Sequence, residues 1–562
     1  MRTPQAGLLF AFLLAPALAH AAEHHVSPTG TVAGTGAASA PWNLATALAQ
    51  PSAIRPGDTV LLHSGTYSGA FLSALTGSDG IPITVRSAPG EWATIDGKGA
   101  TEATFTVEGA STVYRDFEIT NTDPDRGGAR AGGFDVRGPN VKLINLVVHD
   151  TGGNGFWSGA TNAEIYGCVI FHNGYDDTDR GHGHGVYTQN ATGTKTLADN
   201  VVFGGYSFGL HAYTEGGDLQ GFDFVGNVLF NAGVASSVSG HKDDCLVGGL
   251  KPADRISLRE NLVWAIGGNT RAVQLGYSVA NGSVELRDNY VIGAVNFAKP
   301  WSSVTMSGNT LCTVTGVDTA QYPANTYLTV DPAAPKVFVR PNKYEPGRAH
   351  VVVYNWLRAA SVDVDVSSVV AAGARYELRN AQNVLAAPVL SGTYSGGKLA
   401  VPMAGLQPAQ PIGSPGAYEP ADQTGTLFNV FVLTSTNGAP PPVDAGTIAP
   451  PDAGVAAPAD GGASARVDAA VAIPGADASR TVDASAARSD SGEAPAVDAG
   501  AVAGEDAAFS AGDGGRSGSV SGCGCAAGGG TAHFVLGLLL VAGFTIRPRT
   551  SRRPRQEGRQ LH

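Results

Sequence analysis

The residues best suited to chemistry crowd into Gly181-His182-Gly183-His184-Gly185-Val186-Tyr187-Thr188-Gln189-Asn190, where two histidines, a tyrosine and a glutamine alternate with small residues. Glycines at this density leave the backbone open to a ligand, which folding alone seldom requires. An imidazole takes or gives a proton near neutral pH, and a phenol held beside it can make the complementary transfer. His211 and Tyr213 follow in a second stretch of the same character, with Arg137 and Trp157 upstream and Asp243, Asp244 and Gln274 downstream. For residues so far apart to act together, the fold must bring them onto one surface.

Internal repetition supplies such a fold. Asn145, Gly167, Asn200, Asn227, Asn261, Asn289 and Asn309 each introduce a short apolar strand, at intervals of 20 to 34 residues. That scatter is expected of a solenoid whose coils carry turns of variable length. Stacked coils would set the amides over one another, each bonding the next. A second column, Phe134, Phe156, Val186, Leu210, Cys245 and Val273, reads as inward-facing. Period-two alternation then puts Asp135, Trp157, Tyr187, His211, Leu246 and Gln274 outside. Two residues on, Arg137, Gly159, Gln189, Tyr213, Gly248 and Gly276 form a parallel outward column. Long runs of 3.6 period are missing, and 76 glycines against 3 methionines also favour β-structure over helical bundles.

At the N-terminal end come Val26-Ser27-Pro28-Thr29-Gly30, Pro41-Trp42-Asn43, a short amphipathic helix to Gln50, and Arg55-Pro56-Gly57-Asp58 leading into an apolar strand. A helix followed by such a strand can plug the open end of a β-stack. Together with Ser64-Gly65-Thr66-Tyr67, this resembles the N-terminal cap of right-handed parallel β-helix proteins of the pectate-lyase-like superfamily. The resemblance implies an all-β chain with a right-handed parallel β-helix solenoid over residues 22–320, and it suggests a polysaccharide as substrate or ligand. Gly181-His182-Gly183 is similar to the glycine-histidine-glycine element of polygalacturonases, but their paired-aspartate coil and arginine-isoleucine-lysine coil are missing from the matching columns. The Arg-x-Pro-x-x-Arg element of calcium-dependent pectate lyases is absent as well.

The flanking segments give the chain an address. Met1-Arg2, an apolar run from Ala6 to Leu18 and Ala17-Leu18-Ala19 read as a signal peptide, taken as residues 1–21, so export is expected. Short strands between Gly and Pro turns over 325–436 read as a β-sandwich domain, similar to accessory modules of carbohydrate-active proteins. Residues 437–522 collapse to Ala, Asp, Gly, Pro and Ser, a disordered linker. Over 523–562 lie Cys523-Gly524-Cys525, an apolar run from Phe534 to Ile546 and an arginine cluster. This order resembles the C-terminal sorting signals of myxobacterial exported proteins, with a transmembrane helix. It implies processing and lipid attachment at Cys523 or Cys525; a plain tail anchor into the membrane is the alternative. Both place the solenoid outside the cytoplasm, at the cell surface or anchored to the outer membrane, or released from it. The net charge of −12, concentrated between Asp444 and Asp513, argues against nucleic acid. A monomer is expected, and Cys168, Cys245 and Cys312 are too scattered for a disulfide framework.

On the outward face the chemistry divides by distance. Coils about 4.8 Å apart would separate Asp135 from Asp244 by roughly 19 Å, beyond the ~5–9.5 Å that paired glycosidase carboxylates need. Hydrolysis would have to recruit Asp176, Asp177, Asp179, Glu215 or Asp218 from loops. Elimination from a uronate polymer fits better: His211 and Tyr187 transfer protons, and Arg137, Lys242, Arg271 or a calcium ion on Asp243 and Asp244 neutralises the carboxylate. Calcium is the one cofactor this chemistry invites. Trp157 would stack on a sugar, while His184, Gln189, Tyr213 and Gln274 would bind hydroxyls. Plainer roles stand beside these: His182 and His184 as turn-bonding groups or a metal pair, Tyr187 and Tyr213 as packing partners, and the whole face as a non-catalytic adhesive surface.

Overall fold

The computed structural model describes residues 21–126, 130–238, 242–265, 271–413 and 425–435. The leader, the linker and the tail with Cys523 and Cys525 lie outside these residues. No described helix is long and apolar enough to cross a membrane.

Three parallel ladders wind into a β-helix. The first holds eleven strands, from Glu23–Thr31 through Thr59–Leu62 to Trp301–Ser307. The second runs from Gly65–Ser68 through Val147–His149, Val169–Phe171 and Val201–Phe203 to Thr326–Tyr327. The third runs from Phe71–Ser73 through Phe134–Val136, Val186–Thr188 and Leu210–Ala212 into the end of Tyr290–Phe297. Many strands are only three residues long, because a sharp corner interrupts each. Asp116, Asn145, Gly167, Asp199, Gly226, Glu260, Asp288 and Gly308 occupy one such corner with φ between 51° and 67°. Glycine, Asn and Asp tolerate this left-handed region best, which is why they recur there.

The asparagine column needs one correction. Asn145 and Gly167 are corner residues; Leu146 and Cys168 precede their strands as Asn200 precedes Val201. The amide ladder proper starts at Asn200, whose Oδ1 accepts from Cys168 N at 3.0 Å. Asn200, Asn227, Asn261, Asn289 and Asn309 each donate backbone N and Nδ2 to the Oδ1 of the next, ending on Asn325. An asparagine that favours the corner looks, in sequence, like one that belongs to the ladder. At the other end the cap is a helix, Leu44–Leu48, with Asn43 Oδ1 accepting from Thr46 N and Leu44, Ala47 and Leu48 buried.

Inside, Val, Ile, Leu and Phe stack in columns, with Phe134 on Phe156 at 5.2 Å and 4°. The outward face of the second ladder is also apolar: Phe171, Phe203 and Phe230 stack at 5.2 and 4.8 Å. A five-stranded antiparallel sheet covers it, ordered Lys336–Pro341, Arg348–Tyr354, Phe428–Ser435, Arg375–Asn380, Leu390–Thr393. Trp264 stacks on Phe428 at 5.2 Å and Tyr354 packs edge-on to Tyr290 at 4.7 Å. The far side of that sheet shares a core with a two-stranded sheet, Ser361–Asp365 and Lys398–Pro402.

Polar pins fix the join. Arg340 Nε meets Asp199 at 2.6 Å, and the Tyr344 hydroxyl donates to Glu164 at 2.6 Å. Arg126 Nη2 binds Asp150 Oδ1 at 2.6 Å, and the same oxygen accepts from Ile412 N at 2.8 Å. His149 lies buried between Asp150, at 2.8 Å, and Glu118, at 3.0 Å. Burial opposes its charge, but the two carboxylates prevail and raise it to about 9.

Candidate functional site

Among the described residues no sheet lies over the third ladder, and its outward side chains form a stripe along the solenoid. Register pairs Asp135 with Trp157, Trp157 with Tyr187, Tyr187 with His211, His211 with Leu246 and Leu246 with Gln274. Each pair belongs to adjacent coils. The alternation is enforced by Phe156, Val186, Leu210 and Cys245, which point into the core on the same strands.

His211 sits at the centre of an aromatic cluster. Its ring stacks on Phe208 at 4.6 Å and 12° and on Tyr213 at 4.9 Å and 20°. Tyr187 lies below at 5.3 Å and His184 approaches edge-on at 4.3 Å. Only 7 % of His211 is exposed, and neither its Nδ1 nor that of His184 has a hydrogen-bond partner among the described residues. Burial, then the charge of neighbouring His184 and of Arg180, would press the His211 imidazolium well below its ordinary value. Burial and Arg180 likewise push His184 down to about 3. Both imidazoles are therefore neutral at physiological pH, and the base form is the resting one. Tyr187 is raised, chiefly by burial, against a hydrogen bond from Gln189.

The other sequence-derived residues divide. Trp157 lies half-buried on the coil below Tyr187, its indole across Gly159, where a Cβ would come within 2.7 Å of the ring. Gln189 Nε2 donates to Tyr213 O at 3.3 Å, and Tyr213 meets Tyr277 edge-on at 5.2 Å. Arg137 stands three coils from His211, roughly 14 Å at the spacing of a parallel stack, and is engaged by Asp135 at 2.6 Å and Glu108 at 3.3 Å. It is thus too far to share a carboxylate with His211. Gln274 is 3 % exposed and donates to Gly276 O at 3.2 Å, so it offers little to a ligand. Lys242 turns into its own loop, donating to Val238 O at 3.2 Å.

Asp243 and Asp244 do not fit a calcium site. Asp243 Oδ1 meets Arg271 Nε at 3.2 Å, an ion pair that occupies both candidates at once. Asp244 is fully buried, with Oδ1 accepting from Ala232 N at 2.9 Å; burial pushes it up to about 8, so it stands as a neutral acid near pH 7. A hard cation wants charged, convergent oxygens. Among the described residues, three ligating atoms converge instead at Asp177, Asp179 and His182, on the hairpin beside the stripe. There His182 Nε2 meets Asp179 at 2.8 Å.

Sequence reasoning missed four contributors. Phe208 and Tyr277 extend the aromatic floor, and Arg180 brings positive charge from the hairpin. Lys195 lies beneath the surface, its Nζ donating to Ser158 O at 2.7 Å, Ser158 Oγ at 3.0 Å, Thr188 Oγ1 at 3.1 Å and Gln189 O at 2.5 Å. Burial brings it down to about 7. It ties together the backbones that carry Trp157 and Gln189. A lysine at the head of an otherwise apolar strand was the available signal.

Residues 24–223 match the family model described as Pel9A-like, right handed beta helix region. That match supports a right-handed coil of the pectate-lyase-like kind for this part of the chain. No curated protein matches it. Among solved structures, pectate lyase Pel9A is similar at 18 % identity, covering 52 % of this chain and 79 % of that one, with a TM-score of 0.38. XylC in complex with xylose is similar at 11 % identity over 73 % of this chain and 100 % of that one, with a TM-score of 0.37. The GH136 lacto-N-biosidase from Eubacterium ramulus reaches 12 % identity over 52 % and 67 %, with a TM-score of 0.34. Likeness at this level carries no argument about activity.

Proposed function

We propose that this chain is an exported, surface-anchored protein that binds a polysaccharide along the third-ladder stripe and cleaves it by β-elimination. The observation that carries the reading is the register itself: Trp157, Tyr187 and His211 occupy successive rungs with Tyr213 beside them, an open aromatic path parallel to the solenoid axis. Sugar rings stack on such faces through their C–H groups, and hydroxyls at the rim take hydrogen bonds. Processing near Cys523 or Cys525, which removes the transmembrane segment and leaves a lipid attachment, would display this face outward at the end of the linker. The C-terminal sheets, read as a β-sandwich, serve as a cover for the solenoid, and the protein acts as a monomer.

Elimination assigns the neutral His211 as base for the proton beside the uronate carboxylate and Tyr187 as acid toward the leaving glycosidic oxygen. Arg180, whose charge is felt at His184 and His211 although it also pairs with Asp179 at 3.6 Å, would answer the carboxylate in place of Arg137. Incubating the exported protein with uronate polymers should produce an unsaturated product absorbing near 235 nm. Reducing ends without that absorbance would sink elimination in favour of hydrolysis by loop carboxylates. The low basicity of a buried imidazole favours a second reading, a binding surface with no reaction; ligand retention on an affinity gel with no product of either kind would establish it.

A further inference from the structure

The solenoid begins at a carboxylate with no full cation beside it. Asp58 is 5 % exposed. Its Oδ1 accepts from Ala22 N at 2.8 Å; its Oδ2 accepts from Arg55 N at 2.9 Å and lies 3.1 Å from His24 Nε2. Burial pushes this carboxyl upward, yet the Ala22 and Arg55 amides outweigh it and hold the group below its usual range. Among the described residues no lysine or arginine forms an ion pair with it; His24, stacked on Trp42 at 5.5 Å, is its one titratable partner. Buried carboxylates are ordinarily paired with a full positive charge. Ala22 is pinned from its other side too, since its carbonyl accepts from Thr59 N at 2.9 Å.

In sequence, Ala22 directly follows Ala19-His20-Ala21, small residues at the two positions that leader peptidases read. We propose that the leader is cut between Ala21 and Ala22 and that the α-ammonium so released is the missing counter-ion of Asp58. Water adds across the Ala21–Ala22 peptide bond, leaving a carboxylate on Ala21 and a protonated amine on Ala22. The amine inherits the position of an amide nitrogen already at hydrogen-bond distance from the carboxylate, and a bond charged only on the acceptor side becomes an ion pair between two full charges. Processing would thereby lock the first strand against the loop that ends at Asp58. This inference rests on the export reading above but not on any ligand or reaction.

Two measurements test it with the full chain. The first is the N-terminal mass of the protein recovered outside a secreting host, expected to begin at Ala22. A chain that stays inside uncut removes the export reading and this inference together, whereas a cut at any other bond removes the inference alone. The second compares the melting temperature of a chain starting at Ala22 with one retaining Met-Ala21 ahead of it, in which Ala22 keeps its amide. The free amine should raise Tm by about 2–4 °C, and Asp58→Asn should abolish that difference. Equal melting temperatures, or a difference that survives Asp58→Asn, would overturn the ammonium assignment.

Discussion

Two outward faces of one solenoid, built on the same register, have opposite fates. On the second ladder Phe171, Phe203 and Phe230 stack nearly parallel and vanish beneath Tyr354 and Phe428. On the third, His211 stacks on Tyr213 with Tyr187 tilted beneath it and Trp157 one coil further down, and no described sheet lies over them. Stacking alone therefore does not mark a functional face. What differs is the polar atom: a phenyl ring loses nothing when water is removed, whereas an imidazole nitrogen or a phenol must find a partner or stay near solvent. On the covered face the imidazole of His149 has both nitrogens held by Asp150 and Glu118, whereas on the third ladder the Nδ1 atoms of His184 and His211 have no partner among the described residues.

The largest effect expected from breaking this contrast is chemical. His211→Phe keeps a ring between Phe208 and Tyr213 and removes only the nitrogens, so turnover should fall by ~10²–10⁴ while the melting temperature moves little. An unaltered rate would end the proton-transfer role. Next comes the covered face, where Trp264→Ala should cost about 3–5 kcal/mol in urea unfolding with ligand affinity unchanged in the folded protein. Loss of affinity without loss of stability would reverse the roles of the two faces. Asn261→Ala, which orphans Asn227 and the carbonyl of Phe224, should cost roughly 1–3 kcal/mol and leave both faces intact; calorimetry would read it.

The smallest signals are slopes with pH, and the two faces should slope in opposite directions. His149 is raised to about 9 when folded, above its unfolded value of about 6.5. Its contribution is complete below the unfolded value and is lost as pH climbs through about 9. Below the usual carboxylate range Glu118 and Asp150, both held low, lose theirs. His211 is depressed, so it opposes folding as pH falls below about 6.5 and costs nothing above. Between pH 6.5 and 9 the Tm advantage of wild type over His149→Gln should therefore shrink, while His211→Phe should gain on wild type only as the solution is acidified. Parallel curves for the two variants would refute the electrostatic distinction between the faces.

Much of the architecture was legible because strand alternation and corner chemistry leave direct traces. Phe134, Phe156, Val186, Leu210, Cys245 and Val273 stand in register as their spacing implied, since a core column tolerates only inward apolar side chains. The slip at Asn145 and Gly167 arose where one residue type serves two adjacent positions for different reasons. The solenoid also runs one coil further than the fading pattern suggested, to Thr326–Tyr327, with Asn325 closing the amide ladder.

By itself, then, the order of residues determined the coil, its inside and outside, and the adjacency of Tyr187 and His211, because parallel pairing is a local consequence of repeated short strands. Tertiary structure alone decided which outward column is covered, that Asp243 turns to Arg271, that Gln274 folds onto its own strand end, and that Phe208 stacks on His211. Those outcomes depend on where loops of unequal length return and on a second sheet distant in the chain, and neither leaves a period in the sequence.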